Sequence, residues 1–375
     1  MIYNTRNTSY HVNKKQLNEI VSISRGNRPS KDIEYGQYPY VNGGTSPSDY
    51  FSDYNSEPNA ITTPTHGEGG IGYVAFQKSR FWCGALCLRM YALSDDVNIK
   101  FIFYYLSNNK EEILSKKNYG GMPYINKMEF SRIQITLPPI KVQEEIVKIL
   151  DSFTNLIDAL NEELSLRQKQ FEYYREKLLT FDDNSYSKTI NEIGTLFRGN
   201  GLQKKDFVEE GIGCIHYGQI YTKLGFSLSK PLTFVTEDTA RPLTKVRKGD
   251  LVIACTSENI EDVCKSVVWE GDDEIVTGGH ACVFRHNENP RYIGYYFQTH
   301  QFFLQKKQYA YGAKVIDIKT EKLGEILIPI PSKREQNAIV EKLDAFESLI
   351  SSLKEEIALR QKQYEYYREK LLTFN

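Results

Sequence analysis

The chain has 375 residues, 40% of them hydrophobic, and its 47 basic and 48 acidic side chains give a net charge of −1. That length is sufficient for two or three domains with cores of their own. Because the charges nearly cancel, the composition excludes binding to nucleic acid or to an anionic membrane through bulk positive charge, so any such surface must be a local patch.

The six cysteines are scattered along the chain, and no second Cys or His pair accompanies Cys83 and Cys87. A zinc site needs such a second pair, so we expect no metal and free, buried thiols in a reducing cytoplasm. There is no signal-peptide pattern and no apolar run of membrane-spanning length. We therefore expect a cytoplasmic protein with no membrane among its partners.

The first half of the chain begins with a polar stretch, 1–16, that predicts a loose arm or a packing strap. Short β-type runs separated by turn residues follow. YPYVNGG at 38–44 predicts a strand entering a glycine turn, and AITTPT at 60–65 and ALCLRMY at 85–91 predict buried strands. KFIFYYLSNNKEEILSKK at 100–117 predicts a helical run.

A long helix is predicted from just after Pro138 and Pro139, where a helix tolerates proline. Its apolar residues are spaced alternately by four and three, interrupted only at Arg167, as in a coiled coil; a long core helix is the alternative. The predicted seam is Ile146, Leu150, Phe153, Ile157, Leu160, Leu164, Phe171, Tyr174 and Leu178.

The second half repeats this plan. LNEIVSISRGN at 17–27 recurs as INEIGTLFRGN at 190–200, and IGCIHYG at 212–218 predicts another strand entering a glycine turn. Further buried strands are predicted for DLVIACTS at 250–257 and ACVFRH at 281–286, and a helical run for YIGYYFQTHQFFLQKK at 292–307.

The second long helix repeats the first almost letter for letter. LRQKQFEYYREKLLTF at 166–181 returns as LRQKQYEYYREKLLTF at 359–374, at an offset of 193. The second predicted seam, interrupted at Arg360, is Ile339, Leu343, Phe346, Ile350, Leu353, Ile357, Tyr364, Tyr367 and Leu371. Such a repeat dictates the architecture.

We therefore predict an α+β fold with a pseudo-two-fold internal repeat. Two mixed α/β domains are separated and joined by two long antiparallel coiled-coil helices. The predicted boundaries are 1–137 for the first domain, 138–182 for the central helix, 183–330 for the second domain and 331–375 for the C-terminal helix. Ile149, Leu156 and Leu166 widen the apolar stripe of the first helix and lie either under the chain's own loops or in a docking face for another protein.

The sequence carries no recognisable catalytic motif. There is no P-loop, no HExxH and no Asn/Asp-Pro-Pro-aromatic tetrapeptide of an amino-methyltransferase. The glycines at 67, 69 and 72 match GxGxxG, but a predicted strand follows them instead of the helix that would hold a pyrophosphate. We therefore expect a turn between two strands there, no catalytic residues and no cofactor in this chain.

Basic, aromatic and amide side chains do recur at the loop edges of both predicted domains. Such groups contact phosphates and base edges, although an ordinary solvated surface is the alternative for each of them. The candidate DNA-binding residues are Arg25, Arg28, Asn42, Gly43, Thr45, Lys116, Lys117, Tyr119, Arg198, His216, Tyr217, Gln219, Lys306, Lys307, Tyr311 and Lys314.

Taken with the repeat, the two strand-to-helix junctions resemble those of a known family. ITLPPIKVQEEIV at 135–147 and ILIPIPSKREQNAIV at 326–340, each preceded by a YG segment at 119–125 or 311–318, are similar to the specificity subunits of type I restriction-modification systems. The resemblance implies a non-catalytic subunit with two target-recognition domains, each reading one half of a split site in double-stranded DNA.

It also implies that two methyltransferase subunits dock on the helices and that restriction (motor) subunits join them. S-adenosylmethionine, ATP and Mg are then expected on those partner subunits. The alternative is a coiled-coil scaffold that does not bind DNA and whose two globular domains bind proteins.

Overall fold

The computed structural model describes residues 12–118, 122–181 and 187–374. By its packing the chain forms two units, residues 1–162 with 355–375 and residues 163–354. The long helix Ile140–Leu179 thus gives its first part to the first unit and its second part to the second unit. The long helix Lys333–Leu372 does the reverse.

The first unit combines short strands and helices. Its strands β1 to β11 are Asn13–Gln16, Val21–Arg25, Tyr35–Val41, Asp49–Phe51, Ala60–Pro64, Ala75–Gln77, Trp82–Cys83, Cys87–Ala92, Lys117–Asn118, Tyr124–Ile125 and Gln134–Leu137. Its helices α1 to α4 are Leu17–Ile20, Ile99–Asn108, Lys110–Ser115 and Lys127–Ser131, followed by the long helix α5, Ile140–Leu179.

A four-stranded antiparallel sheet, in the order β2-β8-β5-β6, forms the centre of this unit. All five residues of β5 are buried, as expected of an inner strand covered on both faces. Helix α2 packs on the sheet through residues such as Phe101 and Ile102. Smaller sheets, β4-β3-β7, β1-β11 and β10-β9, complete the unit.

The second unit has larger sheets. Its strands β12 to β25 are Ser187–Thr189, Gly194–Arg198, Phe207–Val208, Ile212–Ile215, Ser227–Leu228, Thr233–Val235, Thr244–Val246, Leu251–Ala254, Thr256–Ser257, Ser266–Trp269, Ile275–Thr277, Ala281–His286, Ile316–Asp317 and Leu327–Pro329. Its helices α6 to α12 are Ile190–Ile193, Tyr217–Thr222, Glu237–Ala240, Pro290–Tyr296, His300–Tyr309, Thr320–Leu323 and Lys333–Leu372.

Two five-stranded sheets organise this unit, in the orders β13-β23-β19-β21-β16 and β14-β17-β15-β22-β18. The inner strand β19 is fully buried, like its counterpart β5 in the first unit. A second core, around Trp269 and Val252, lies apart from the core that contains Tyr292, Tyr295 and the start of α12. The larger sheets of the second unit therefore enclose more than one core.

The internal repeat is visible in the strand pairing. β1 pairs with β11 and β12 pairs with β25, in both cases antiparallel, just before a long helix starts. The repeated segments at 17–27 and 190–200 both form a one-turn helix followed by an edge strand, α1-β2 and α6-β13. The predicted fold class, two mixed α/β domains with two long helices and an internal repeat, is confirmed.

Four local predictions need correction. The helical run 100–117 breaks at Asn109 into α2 and α3, and Lys117 already belongs to strand β9. The polar stretch 1–16 is not all arm or strap, because 13–16 is a paired strand; residues 1–11 lie outside the described part. IGCIHYG does not end in a glycine turn, because the His216 side chain caps helix α7 by accepting from the Gly218 N–H. The helical run 292–307 breaks into α9 and α10, since Thr299 caps a new helix there.

In each unit the first part of one long helix packs against the last part of the other. In the first unit Phe153 of α5 stacks on Tyr367 of α12, with ring centroids 5.4 Å apart. In the second unit Tyr174 of α5 stacks on Phe346 of α12, also at 5.4 Å. These are repeat-related pairs, since 153 and 346, like 174 and 367, differ by the offset of 193. Each of the eighteen predicted seam residues is buried or half-buried.

A buried glutamine fixes the start of each long helix to its domain. The Gln143 side chain accepts from the Asn98 N–H at 2.9 Å and donates to the carbonyls of Asp96 and Pro138. In the second unit Gln336 accepts from the Asn289 N–H at 3.0 Å and donates to the Pro331 carbonyl. Both glutamines are fully buried, which explains why each helix carries one at this place.

Replacing Gln143 by alanine is expected to destabilise the first unit by about 2–3 kcal/mol, because buried backbone groups lose their partners. Urea unfolding followed by hydrogen exchange would show the loss in residues 12–118. Gln336→Ala is the matched control and should weaken the second unit instead. Equal loss of protection in both units for either variant would contradict this assignment.

Candidate nucleic-acid interface

Several loops of the first unit meet at one end of its central sheet. Strand β5 ends there and β8 begins there, since the Thr65 N–H donates to the Leu86 carbonyl at 2.8 Å. The Gly26 N–H, just beyond β2, donates to the Cys87 carbonyl at 3.1 Å. We call residues 25–28, 42–46, 65–72, 84–86, 116–118 and 122–125 the first rim.

The other loops of the first rim are tied to the same place. The Asn42 side-chain oxygen accepts from the Leu86 N–H at 2.9 Å. The Gly67 N–H donates to the Pro123 carbonyl at 3.0 Å, and His66 stacks on Tyr124 with ring centroids 6.1 Å apart. The glycines of the GxGxxG match thus lie in a turn between β5 and β6, as predicted.

The second unit gathers the corresponding loops in the same way. The Cys255 N–H donates to the His280 carbonyl at 2.8 Å, and the Gly199 N–H donates to the Ala281 carbonyl at 2.9 Å. The Ile318 N–H donates to the Cys255 carbonyl at 3.1 Å, as the Ile125 N–H does to Thr65 in the first unit. We call residues 198–201, 216–219, 255–258, 278–280 and 311–317 the second rim.

The structure places the first-half candidates that it describes on or beside the first rim, and these differ in exposure. Arg25, Arg28 and Thr45 are exposed, whereas Gly43 and Lys116 are half-buried. Two further candidates, Asn42 and Lys117, already have polar partners. Asn42 is half-buried with its oxygen engaged as described, the Lys117 amino group lies 3.8 Å from a Glu68 carboxylate oxygen, and Tyr119 falls outside the described residues.

Of the second-half candidates, Arg198, Lys307, Tyr311 and Lys314 are exposed. Arg198 lies 3.3 Å from the Asp317 carboxylate, which also accepts from the Tyr311 hydroxyl at 3.2 Å. This acidic partner lowers the net positive charge of the second rim. A phosphate contact by Arg198 would have to compete with it.

His216 and Gln219 are buried and serve the fold of α7. The Gln219 side chain accepts from the His216 N–H at 2.9 Å and donates to the Thr233 hydroxyl at 3.2 Å. Burial lowers the pKa of His216, and the electrostatic effects of nearby Lys204 and His280 lower it further. The neutral ring can then accept from the Gly218 N–H, so these two candidates act as a helix cap. Tyr217 remains half-exposed between the His216 and His280 rings.

Lys306 is buried as well, although its neighbour Lys307 is exposed. Its amino group donates to the carbonyls of Glu261 and Val263, at 2.8 and 2.5 Å. Burial lowers the pKa of this lysine. The side chain therefore holds the loop after β20 in place, and it does not face solvent as a phosphate-contacting lysine would.

Lys306→Met is expected to cost the second unit about 1–3 kcal/mol, because two buried carbonyls lose their donor. Lys307→Met, the matched control on the exposed neighbour, is expected to stay within about 0.5 kcal/mol of the parent. Urea unfolding of the two variants checks both values. A stable Lys306→Met protein that bound DNA weakly would instead assign Lys306 to phosphate contact.

Sequence reasoning overlooked one matched position on the rims. By strand register, Arg25 pairs with Leu88 and Arg198 pairs with Cys282, which makes Leu86 and His280 equivalent. Both follow a Gly-rich turn, Gly84-Ala85 or Gly278-Gly279, and both are exposed. The segments ALCLRMY and ACVFRH do not show it, because aligning their arginines, Arg89 and Arg285, matches Leu86 with Cys282, so the equivalence needs the strand register.

Comparison with known proteins identifies the class. The family described as type I restriction modification DNA specificity domain matches twice, at residues 11–166 and 186–359. A putative type I restriction enzyme specificity subunit of Haemophilus influenzae is 28% identical over 97% of this chain and 96% of its own length. A type I restriction enzyme specificity subunit of Escherichia coli is 30% identical over 74% of this chain and 71% of its own.

The fold is shared with solved structures. The S subunit of a type I restriction-modification system from M. genitalium superimposes with a TM-score of 0.66 and 18% identity, covering 98% of each chain. A second structure, from work on complex assembly and conformational transition of the type I R-M system, gives a TM-score of 0.56 and 15% identity, covering 97% of this chain and 98% of its own.

The fold and the two matched rims define a protein with two recognition domains built on one plan. The chain belongs to the family of type I restriction-modification specificity subunits. The prediction that it is a DNA specificity subunit and not an enzyme is thereby confirmed. Among the residues that the structure describes, no helix combines the length and the apolar character needed to cross a membrane.

Proposed function

We propose that this subunit reads a bipartite site in double-stranded DNA, one half with each rim. The observation that carries the proposal is the recurrence of the same loop-closing hydrogen bonds in both units, from Thr65 to Leu86 and from Cys255 to His280. One scaffold thus presents two different sets of loop side chains. Two sets of that kind suit two different half-sites.

Phosphate contacts are assigned to the exposed cations of the rims, Arg25 and Arg28 in the first and Lys314 in the second, with Lys307 on the neighbouring helix α10. Residues 1–139 hold 15 basic and 12 acidic side chains, a balance of 15 − 12 = +3, and residues 182–332 hold 18 and 20, a balance of 18 − 20 = −2. Binding by such weakly charged domains depends on local cations, so it should weaken as the salt concentration rises.

The partners proposed for the long helices are two methyltransferase subunits. Apolar residues are exposed on both helices at repeat-related positions, at a spacing that leaves them outside the paired seam. Because they recur at the offset of 193, they offer two similar docking faces to two copies of one partner. The exposed apolar residues are Leu156, Leu166 and Tyr173 on α5, and Leu349, Leu359 and Tyr366 on α12.

Catalysis is assigned to the partner subunits. In this proposal the methyltransferase subunits bind S-adenosylmethionine, restriction (motor) subunits bind ATP and Mg, and the assembly works in the cytoplasm on the DNA of the cell. The chain described here contributes the choice of site.

The test uses the subunit together with its methyltransferase subunits. We expect a gel shift with genomic fragments that weakens steeply as salt rises, and methylation mapping that returns one motif of two defined halves separated by an undefined gap. Methylation without sequence preference would overturn the proposal. So would a complex that binds proteins through its domains and ignores DNA.

A further inference from the structure

The equivalent rim residues Leu86 and His280 share one backbone environment. The Leu86 carbonyl accepts from the N–H of Thr65, and the His280 carbonyl accepts from the N–H of Cys255, both at 2.8 Å. Each residue directly precedes the long inner strand, β8 or β23, that pairs with both neighbours in its sheet. The scaffold therefore holds this position equally in both units while the side chain changes from isobutyl to imidazole.

Leu86 projects from a rigid backbone. Its carbonyl also accepts from the Thr65 hydroxyl at 3.0 Å, and its N–H is held by the Asn42 side chain. The leucine side chain nevertheless remains 39% exposed, beside Gly43, at the rim. The fixed backbone therefore presents this apolar side chain to whatever approaches the first rim.

His280 is held in a conformation that side chains rarely adopt. Its φ is +67°, in the left-handed region that glycine occupies at little cost, and Gly278 and Gly279 stand directly before it. Its exposed ring lies 5.0 Å from the ring of Tyr217, which lies 4.5 Å from the ring of His216. A strained residue whose side chain is exposed and laterally supported is typical of a functional position.

We infer that Leu86 and His280 are base-reading residues at the same place in the two domains. An exposed leucine suits the 5-methyl group of thymine, and an imidazole N–H suits the N7 or O6 acceptor of guanine in the major groove. The difference at this one position makes the two rims read different bases. This inference rests on the proposed function, since it names the residues through which each rim recognises its half-site.

The experiment maps methylation by the assembled complex with single variants of this subunit. His280→Gly keeps the left-handed backbone and removes the ring, so one base of the half-site read by the second rim should become degenerate. Discrimination at that base should fall about tenfold or more, the effect of losing one base contact. Leu86→Ala should relax one thymine of the other half-site and leave the half-site read by the second rim unchanged.

Two variants keep the inference falsifiable. Asn59 has the same kind of left-handed backbone, with φ +58°, but lies at the opposite end of β5, away from the rim. Asn59→Gly relieves the backbone strain there and should leave the methylated motif unchanged. His280→Asn also tolerates the left-handed region, so it replaces His280→Gly should that protein fail to fold, with the same expected result.

The outcomes separate the two proposals. A bipartite parent motif that stays fully defined in the His280 and Leu86 variants would overturn the inference alone. A variant at either residue that relaxed both half-sites equally would overturn it too. A parent complex that methylated no bipartite motif would overturn the proposed function, and the inference with it.

Discussion

Substituting Arg291 by methionine is expected to lower the free energy of unfolding of the second unit by about 2–4 kcal/mol, because it leaves three clustered carboxylates without their cation. The guanidinium lies 2.7 Å from Glu270, 2.8 Å from Asp344 and 3.2 Å from Glu347. It joins the domain to helix α12, which carries the last two of these carboxylates. Since the carboxylates keep about a third of their side-chain surface exposed, the expected loss stays below that of a fully buried pair.

The loss is expected to depend on pH. Burial raises the pKa of Glu347, while the Tyr295 hydroxyl and the positive charge of Arg291 lower it. Without Arg291 this pKa rises further above that of the unfolded chain, so the folded state binds more protons than the unfolded state as pH rises through that window. Stability of the variant relative to the parent therefore falls with rising pH, and the deficit should be larger at pH 8 than at pH 5.

Urea unfolding at the two pH values, with hydrogen exchange to locate the change, measures both effects. Arg291→Lys is the matched control, because the first unit has Lys100 at this place, 2.6 Å from Asp151. It retains a cation but not the multiple contacts, so a smaller loss is expected. An Arg291→Met protein within about 0.5 kcal/mol of the parent at pH 8 would show that the cluster contributes no more than an ordinary surface pair.

This cluster also shows what the sequence could and could not predict. The long helices, the repeat and most strands follow from periodicity, because a long amphipathic pattern depends little on distant contacts. The anchors do not. Lys100 and Arg291 differ in position by 191, as do Tyr104 and Tyr295, whereas Asp151 and Asp344 differ by 193. A two-residue change in loop length hides the correspondence until the chain is folded and both tyrosine hydroxyls are seen to donate to these aspartates.

The candidate interface was predictable in outline only. Matched basic and glycine-rich loops indicated which segments converge, and the structure brings those loops together at the two rims. The sequence could not rank the members of a pair such as Lys306 and Lys307, because adjacent residues on a helix point about 100° apart and tertiary packing decides which is buried. Nor could it reveal the φ of +67° at His280, which depends on the strands on either side.

Exchanging residues 12–137 for the equivalent segment of another specificity subunit is expected to replace one half-site and retain the other. The segment contains the entire first rim and ends at the junction with α5. The structure sets these boundaries, because β1, Asn13–Gln16, pairs with β11, Gln134–Leu137. An exchange that began after β1 would divide this pair of strands between parent and donor. Including both strands keeps the pairing within one source.

The exchanged domain must still dock on the helices of this chain. In the parent that docking uses the Gln143 side chain, the Lys100–Asp151 pair and the contact from Arg368 to Asn108 at 3.2 Å. A donor with an amide at the position of Asn108 and a cation at that of Lys100 should therefore give a stable chimera. Loss of either group should lower stability without changing which bases are read.

Methylation mapping of the chimera with the methyltransferase subunits of the parent measures the result. The matched control exchanges residues 187–330, which include β12 and β25, and should replace only the other half-site. Each exchange is expected to change one half of the motif completely, because the bases are read by loops that lie wholly inside the exchanged segment. A chimera that altered both halves, or neither, while the complex still methylated DNA would show that recognition is not divided between the two rims.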